Sequence, residues 1–241
     1  MTQSRMSLRL KHPAAHQILG SSQSGKSFYL YNYLRNLKSL YNPNINFKTI
    51  YWFYGEKDAI KNIPLDVKTK LTLVDGIPIN FSSLFNCPKP AIFIFDDLFS
   101  QIFIRPEIVN LILNSVHHCD ITCILTSQVA FPKEKNARTL SLNSHYIVFL
   151  PSPRMNASFS HLTSQIAEPE DRKALLDAYR DSIATSGPRT PFILDLHPAT
   201  ANWARYRTHI FPSNDCTIIY CPKRFYNDCI SSPETTIFNH S

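Results

Sequence analysis

The sequence predicts an α/β fold in which helices flank a mainly parallel sheet. Short apolar runs typical of strands alternate along the chain with amphipathic stretches typical of helices. Several of the runs, such as AIFIFDD at 91–97, are almost continuously apolar, which is typical of parallel strands buried on both faces. A turn containing two of the chain's five glycines joins the first run to the first amphipathic stretch. Together these features indicate a sheet built from strand–helix–strand units.

The predicted elements follow one another in a regular order. The first strand is HQILG, ending at Gly20, and a helix is predicted from about Lys26 to Leu40 because its apolar residues are near helical spacing. Further helices are predicted at 106–116, with proline at the first position, and at 170–183. The remaining predicted strands are FKTIYWFY (47–54), KLTLVDG (70–76), AIFIFDD, ITCILTSQ (121–128), SHYIVFL (144–150) and TPFILDLH (190–197). We expect the last of these to close the sheet.

Length and composition are those of a well-packed chain. The 241 residues are 44% hydrophobic and 12% aromatic, which provides enough apolar surface for a buried core and excludes global disorder. We predict one α/β domain over residues 1–212 and a C-terminal appendage over 213–241. Lys and Arg number 25 against 18 Asp and Glu, a net charge of +7. That surplus suits a polyanionic partner, but it is equally typical of an ordinary charged surface.

The sequence gives little support for a membrane-spanning segment, a signal peptide or a metal site. No apolar run approaches the roughly 18 residues that span a bilayer, and the N-terminal stretch lacks the apolar core of a signal peptide. We therefore expect an intracellular protein that is not secreted and not membrane-bound. Its six cysteines are then expected to be thiols. Zinc is the less favoured interpretation of HHCDITC (117–123) and of the cysteines at 216, 221 and 229, which lack paired ligand spacing.

The turn after the first predicted strand fits the pattern GxxxxGK[ST]. Its glycines let the backbone curl so that successive N–H groups converge on phosphate oxygens. We expect Lys26 to reach the β- and γ-phosphates of a nucleotide and Ser27 to ligate Mg²⁺, while the following helix adds the positive end of its dipole. An ordinary tight turn is the alternative interpretation. The predicted phosphate loop comprises Gly20, Ser21, Ser22, Gln23, Ser24, Gly25, Lys26 and Ser27.

Polar side chains end two of the later predicted strands. Asp96 and Asp97 end AIFIFDD, where Asp96 is expected to hold Mg²⁺ through water and Asp97 to activate the attacking water. Asp97 could instead cap the following helix. Gln128 ends the next strand and is expected to sense the γ-phosphate or to orient the water. Because no NKxD-like sequence that reads guanine occurs, ATP is the predicted nucleotide.

On these residues the chain resembles the poxvirus-type genome-packaging ATPases of the FtsK–HerA superfamily. The likeness is greatest to the packaging ATPases of Polinton/Maverick elements, adintoviruses and related double-stranded DNA viruses, and it covers about residues 8–212. Besides the phosphate loop, the similar stretches are HP (12–13), YGE (54–56), LVDGIP (73–78), IFIFDDL (92–98), HHCDITCILTSQ (117–128), ARTLSLNSHYIVFLPSPR (137–154), FILDLHP (192–198) and RYRTHIFP (205–212). The last two stretches match the family's closing strands. The chain departs from the family at Val129, where the family carries Asn, and at Ser152–Met155, which lacks the family's acidic residue.

The resemblance implies a P-loop ATPase with an additional strand that assembles as a homo-oligomeric ring. Such a ring drives double-stranded DNA, without sequence specificity, into a capsid or past a portal vertex protein at the site of virion assembly. It also implies an arginine donated across the subunit boundary, for which Arg138 is the first candidate and Arg154 the second. A surface ion pair or a DNA contact is the alternative role of either arginine. Lys133, Lys135 and Arg138 are expected to share one loop, which could face the DNA phosphates.

Two other functions stay open at this point. A nucleoside or nucleotide kinase would carry the same phosphate loop, although it would need an arginine-rich lid. A nucleotide-gated DNA-binding adaptor would bind ATP without hydrolysing it, although the intact Lys26, Asp96 and Asp97 favour hydrolysis.

Overall fold

The structure, a computed structural model, describes residues 8–128, 135–153, 155–187, 189–213 and 216–231. Nine strands occur in these segments: β1 Ala15–Leu19, β2 Thr49–Tyr54, β3 Thr72–Asp75, β4 Ala91–Asp96, β5 Ile121–Ser127, β6 Tyr146–Phe149, β7 Phe192–Asp195, β8 Tyr206–Thr208 and β9 Ile218–Ile219. The helices are α1 Lys26–Arg35, α2 Leu37–Leu40, α3 Leu65–Lys68, α4 Phe99–Phe103, α5 Pro106–His118, α6 Lys135–Leu142, α7 Met155–Ile166, α8 Arg172–Ser186 and α9 Tyr226–Ile230.

The described strands form a single sheet in the order β3-β2-β4-β5-β1-β6-β7-β8-β9. All pairs from β3 to β6 are parallel, whereas β7, β8 and β9 are added in antiparallel pairs. The central strand β1 lies between β5 and β6, with Leu19 opposite Ser127 on one side and Phe149 on the other. The prediction of a mainly parallel sheet is therefore confirmed.

Helices cover both faces of the sheet because successive strand residues point to opposite faces. On one face, Ile18, Trp52 and Ile94 pack with α1, α2 and α3. On the other face, Phe93 and Leu125 pack with α4, α5 and α6, and the side chains of β6 and β7 pack with α7 and α8. The phosphate-loop helix α1 and the helix that follows β4 therefore lie on different faces.

An ion pair is buried at the antiparallel end of the sheet. Arg207 of β8 donates to the carboxylate of Asp195 in β7, and each side chain is only 1% exposed. Arg207 also donates to the backbone carbonyl of Leu8. Burial raises the pKa of Asp195, and the Arg207 charge opposes that rise. A buried pair of this kind is strongly destabilised when one partner is removed, because the other charge is left uncompensated.

Several predicted boundaries were wrong. The helix predicted from Lys26 to Leu40 is two helices, because the Asn36 backbone (φ −108°, ψ 17°) leaves the helical region between them, while the Asn36 side chain donates to the backbone oxygen of Asn32 at 2.8 Å. The predicted helix 170–183 begins at Arg172 and extends to Ser186, where Gly187 ends it with φ 90°. TPFILDLH does not close the sheet, since β8 and β9 extend it further.

The C-terminal part of the chain contributes to this sheet. β9, within the predicted appendage, pairs with β8, and Cys229 of α9 packs with Trp203 in a small apolar cluster. The division of the chain at residue 212 stays a prediction. Across the described segments, no helix is both long enough and apolar enough to span a membrane.

Candidate nucleotide-binding site

The predicted phosphate loop joins the end of β1 to the start of α1. Gly25 has φ 101° and nothing within 4 Å of the position that a Cβ would take, so its requirement is conformational: an L side chain is strained at that φ. Gln23 also has a positive φ, of 62°. At Gly20 the requirement is space, because a Cβ there would collide with the Ser24 side chain and lie 3.0 Å from Cβ of Leu150. Glycine is therefore required at position 25 by the backbone conformation and at position 20 by the lack of space.

Lys26 is folded back onto its own loop. Its Nζ donates to the backbone oxygens of Gly20 at 2.9 Å and Ser21 at 3.2 Å, and the residue is only 8% exposed. Burial lowers the pKa of Lys26, while the charges of Asp97 and then Asp96 oppose the shift. Ser27 follows in the first turn of α1 and is exposed. The loop thus brings an ammonium group and a hydroxyl to one helix N-terminus near two carboxylates.

Thr126 positions the two carboxylate residues from the neighbouring strand. Its hydroxyl donates to Asp96 Oδ1 at 2.8 Å and accepts a bond from the Asp97 N–H at 3.1 Å. Asp96 is the buried last residue of β4, and Asp97 is exposed with φ 52°. Burial raises the pKa of Asp96; the Thr126 hydrogen bond lowers it and the nearby charge of Asp97 raises it. Leu98, not Asp97, occupies the N-cap of α4, and no side chain caps that helix, so the capping alternative for Asp97 was wrong.

β5 separates the strand of the phosphate loop from the strand of the carboxylates. Neighbouring strands lie about 4.8 Å apart, so the ends of β1 and β4 are separated by about 10 Å. The Gly20 N–H donates to the backbone oxygen of Ser127 at 3.0 Å, which joins the loop to the end of β5. Gln128 comes next and is exposed. Gln128 therefore follows β5 at the end of the sheet between the loop and Asp97, and its contact with a terminal phosphate or a water stays a prediction.

The donor set at this edge fits Mg²⁺. Mg²⁺ prefers oxygen ligands and usually keeps several of its waters, and it is held by one or two carboxylates together with substrate phosphates. Asp96 and Ser27 supply one carboxylate and one hydroxyl next to the predicted phosphate position. Because burial raises the pKa of Asp96, a cation would relieve an unfavourable buried charge. A metal site made of protein ligands alone was not found: among the described side chains, no group of three or more His, Cys, Asp or Glu could hold a metal ion.

Two of the basic residues that were expected in a loop after Gln128, Lys135 and Arg138, belong to a helix. Arg138 belongs to α6, so the prediction that it lies in a loop was wrong; its side chain is exposed while Ala137 and Leu140 of the same helix are buried. None of the described contacts joins Arg138 to Lys26, Asp96 or Asp97. Lys135 begins the same helix. Arg154 and Lys133 lie outside the described residues, as does Val129.

The sequence gives only a weak sign that Thr126 contacts the two carboxylate residues, and the prediction did not include it. Two hydroxyl residues, Thr122 and Thr126, interrupt the apolar strand ITCILTSQ, and both are completely buried. A buried hydroxyl needs a hydrogen-bond partner, which marks such positions for attention. Which partner it finds depends on strand order, which a local pattern does not provide.

Comparisons with known proteins bear on the fold. No protein-family model matches the sequence, and no curated protein does. Among solved structures, the chain is similar to the genome packaging NTPase B204 of Sulfolobus turreted icosahedral virus 2 in complex with sulfate: TM-score 0.53, 14% identity, covering 83% of this chain and 97% of that one. The DNA-packaging ATPase B204 of Sulfolobus turreted icosahedral virus gives TM-score 0.51 and 14% identity over 87% and 97% of the two chains. The predicted P-loop NTPase-like fold is thereby confirmed.

Proposed function

We propose that this protein hydrolyses ATP and uses the energy to move double-stranded viral DNA into a capsid. The observation that carries the proposal is the arrangement at one sheet edge: the GxxxxGK[ST] loop after β1, the Asp96–Asp97 pair after β4, and Gln128 on the strand between them. The fold similarity adds support, since both solved structures described above are viral packaging NTPases.

Each residue at this end of the sheet has a separate role in the proposed hydrolysis of ATP. The loop N–H groups and Lys26 bind the phosphates, and Ser27 and Asp96 hold Mg²⁺. The ion, when bound, neutralises charge that develops on the β- and γ-phosphate oxygens. Asp97 accepts a proton from the attacking water, and Gln128 orients that water. Thr126 keeps both carboxylate residues in place, because one hydroxyl contacts the Asp96 side chain and the Asp97 backbone.

The assembly is proposed from the resemblance in sequence. The resemblance to the packaging ATPases of the FtsK–HerA superfamily, among them those of Polinton/Maverick elements and adintoviruses, implies a homo-oligomeric ring around DNA. In such a ring Arg138, exposed on α6, reaches the active site of a neighbouring subunit and stabilises transition-state charge. A net charge of +7 suits sequence-independent contacts with DNA phosphates. The ring would act on a capsid or portal vertex protein where virions assemble in the host cell.

ATP hydrolysis by the purified protein tests the proposal directly. The rate per subunit is measured across protein concentration, with and without double-stranded DNA of random sequence, and with Asp97→Asn as the inactive control. A motor assembled on DNA gives a rate that rises steeply with both variables and falls with salt as DNA contacts are screened. A hydrolysis rate that does not depend on DNA or on protein concentration, but rises on addition of nucleosides or nucleotides, identifies a small-molecule kinase. No hydrolysis in an assembled, DNA-bound sample identifies a nucleotide-gated adaptor.

A further inference from the structure

A groove of about 540 Å³ lies beside the phosphate loop. One end is formed by Gln23 and Gly25, which belong to the loop itself. One wall is the exposed side of α1, and the opposite wall comes from residues 189–191, 209–211 and 213. The groove has the size of a typical small-ligand pocket, about 300–1,000 Å³. No residue of the opposite wall belongs to the predicted site.

Sheet topology explains why distant segments meet there. β6 is parallel to β1, so Leu150, which follows β6, lies at the same edge as the phosphate loop. β7 is antiparallel to β6, so the residues preceding β7, Thr190 and Pro191, lie at that edge as well. β8 reverses the direction again and delivers His209 to the edge after its last residue. The groove is thus part of the same edge that carries the phosphate loop.

The groove lies on the opposite side of the loop from the carboxylates. In the sheet order, β5 and β4 lie on one side of β1, and β6, β7 and β8 lie on the other. A nucleotide whose terminal phosphate faces Asp96 and Asp97 must therefore extend its other end away from β4. Starting from a triphosphate seated on the loop, that direction leads into the groove.

The walls have the chemistry of a site for a planar, polar-edged ring. Phe28 is a large apolar side chain that is 68% exposed, and it lies on the groove. Phe211 belongs to the other wall, where its ring centroid is 5.3 Å from that of Tyr29. Asn32 is four residues after Phe28 and so lies on the same side of α1. Aromatic faces stack on nucleobases, and an amide side chain supplies the donor and acceptor that pair with an adenine edge.

We propose that this groove binds the nucleoside part of ATP, with the base against Phe28 and Phe211 and its polar edge on Asn32. Arg189 and Thr190 form a polar rim near the ribose. The proposal rests on the proposed function, because it needs a triphosphate on the loop. It assigns a role to an exposed phenylalanine that core packing does not explain.

Binding measurements on two ligands test the groove separately from the loop. Affinities for Mg²⁺–ATP and for inorganic tripolyphosphate, which has no base, are measured by calorimetry on the full chain. Phe28→Ala should weaken ATP binding about tenfold, the order of one base–aromatic stack, and leave tripolyphosphate binding unchanged. Phe28→Trp should restore ATP affinity, and Asn32→Leu should reduce the preference for ATP over GTP. Leu65→Ala on α3, which removes another exposed apolar side chain away from the groove, is the matched control.

The outcomes separate the two proposals. Unchanged ATP affinity in Phe28→Ala, or an equal loss for both ligands, would overturn the nucleoside site. Lys26→Ala should abolish tight binding of both ATP and tripolyphosphate. If Lys26→Ala binds both as tightly as the parent does, the phosphate loop itself is wrongly assigned and the proposed function fails with it.

Discussion

Replacing Thr126 by valine tests how the carboxylate pair is held. Valine keeps the volume and the β-branch that suit a central strand, but it removes the hydroxyl. The Asp96 carboxylate then loses a hydrogen bond worth about 1.5–3 kcal/mol, and the Asp97 N–H loses one worth about 0.5–1.5 kcal/mol. The free energy of unfolding should fall by about 2–4 kcal/mol in total, which lowers Tm by about 5–15 °C in a chain of this size.

The loss should depend on pH in a defined direction. The folded-state pKa of Asp96 is already raised, so the stability contributed by its neutral form is present below the unfolded pKa and is lost as pH rises through the folded pKa. The Thr126 bond limits that rise, so Thr126→Val raises the folded pKa further. The difference in stability between parent and variant should therefore widen as pH increases, and should be larger in mildly alkaline than in acidic buffer.

Urea denaturation followed by tryptophan fluorescence measures the change, with equal m-values confirming that only stability is altered. Thr126→Ser is the matched control, because it keeps the hydroxyl and loses one buried methyl, at a cost of about 1 kcal/mol. In parallel, ATP hydrolysis by Thr126→Val should fall about 10- to 100-fold, as for other partners that orient a metal-binding carboxylate. A valine variant as stable as the parent, a serine variant that loses more than the valine variant, or a gap that does not change with pH would refute the reasoning.

Three other predictions concern separate parts of the molecule. Asp97→Asn should bind ATP nearly as tightly as the parent but hydrolyse it much more slowly, and full turnover would place the base elsewhere. Inactive Arg138→Ala subunits mixed with inactive Asp97→Asn subunits should regain part of the hydrolysis rate if the arginine acts across a boundary; no recovery at any mixing ratio would count against that role. Arg207→Met should lower the free energy of unfolding by about 3–5 kcal/mol because it leaves a buried carboxylate unpaired, whereas Arg180→Met, which removes an exposed ion pair, should change it little; equal effects in urea titrations would contradict the difference in burial.

The sequence predicted the elements whose signals are local. Most of the parallel strands are apolar runs, β4 and β5 most clearly, and the turn before α1 has a motif that fixes its shape. β8 and β9 have three and two residues, too short for periodicity to show, and their pairing is not local in sequence. α7 was missed although Met155, Phe159 and Leu162 have helical spacing, because two prolines just before it, Pro151 and Pro153, indicate a loop.

The candidate site likewise contains residues that have a local sequence signal and contacts that depend on strand order. Lys26, Asp96 and Asp97 could be found because each belongs to a short motif at a strand end. The contact from Thr126 could not, since it depends on β5 being inserted next to β4. The groove could not be predicted either, because its walls come from segments far apart in the chain that meet only when β7 and β8 reverse direction. Arg138 was suggested by the resemblance in sequence and its role stays a prediction; its position in a helix was not expected.

The two hydrogen bonds from Lys26 to its own loop have a consequence for turnover. Nucleotide affinity is a difference between the bonds that the ammonium makes to phosphate and those it already makes to the oxygens of Gly20 and Ser21. In the ATPase proposed above, this exchange lowers the affinity for any ligand, yet it spares the protein an unpaired buried charge each time a product leaves. The carbonyl groups of Gly20 and Ser21 then take the place of the departing phosphate. These bonds favour rapid product release, which suits the repeated cycles expected of a DNA-packaging motor.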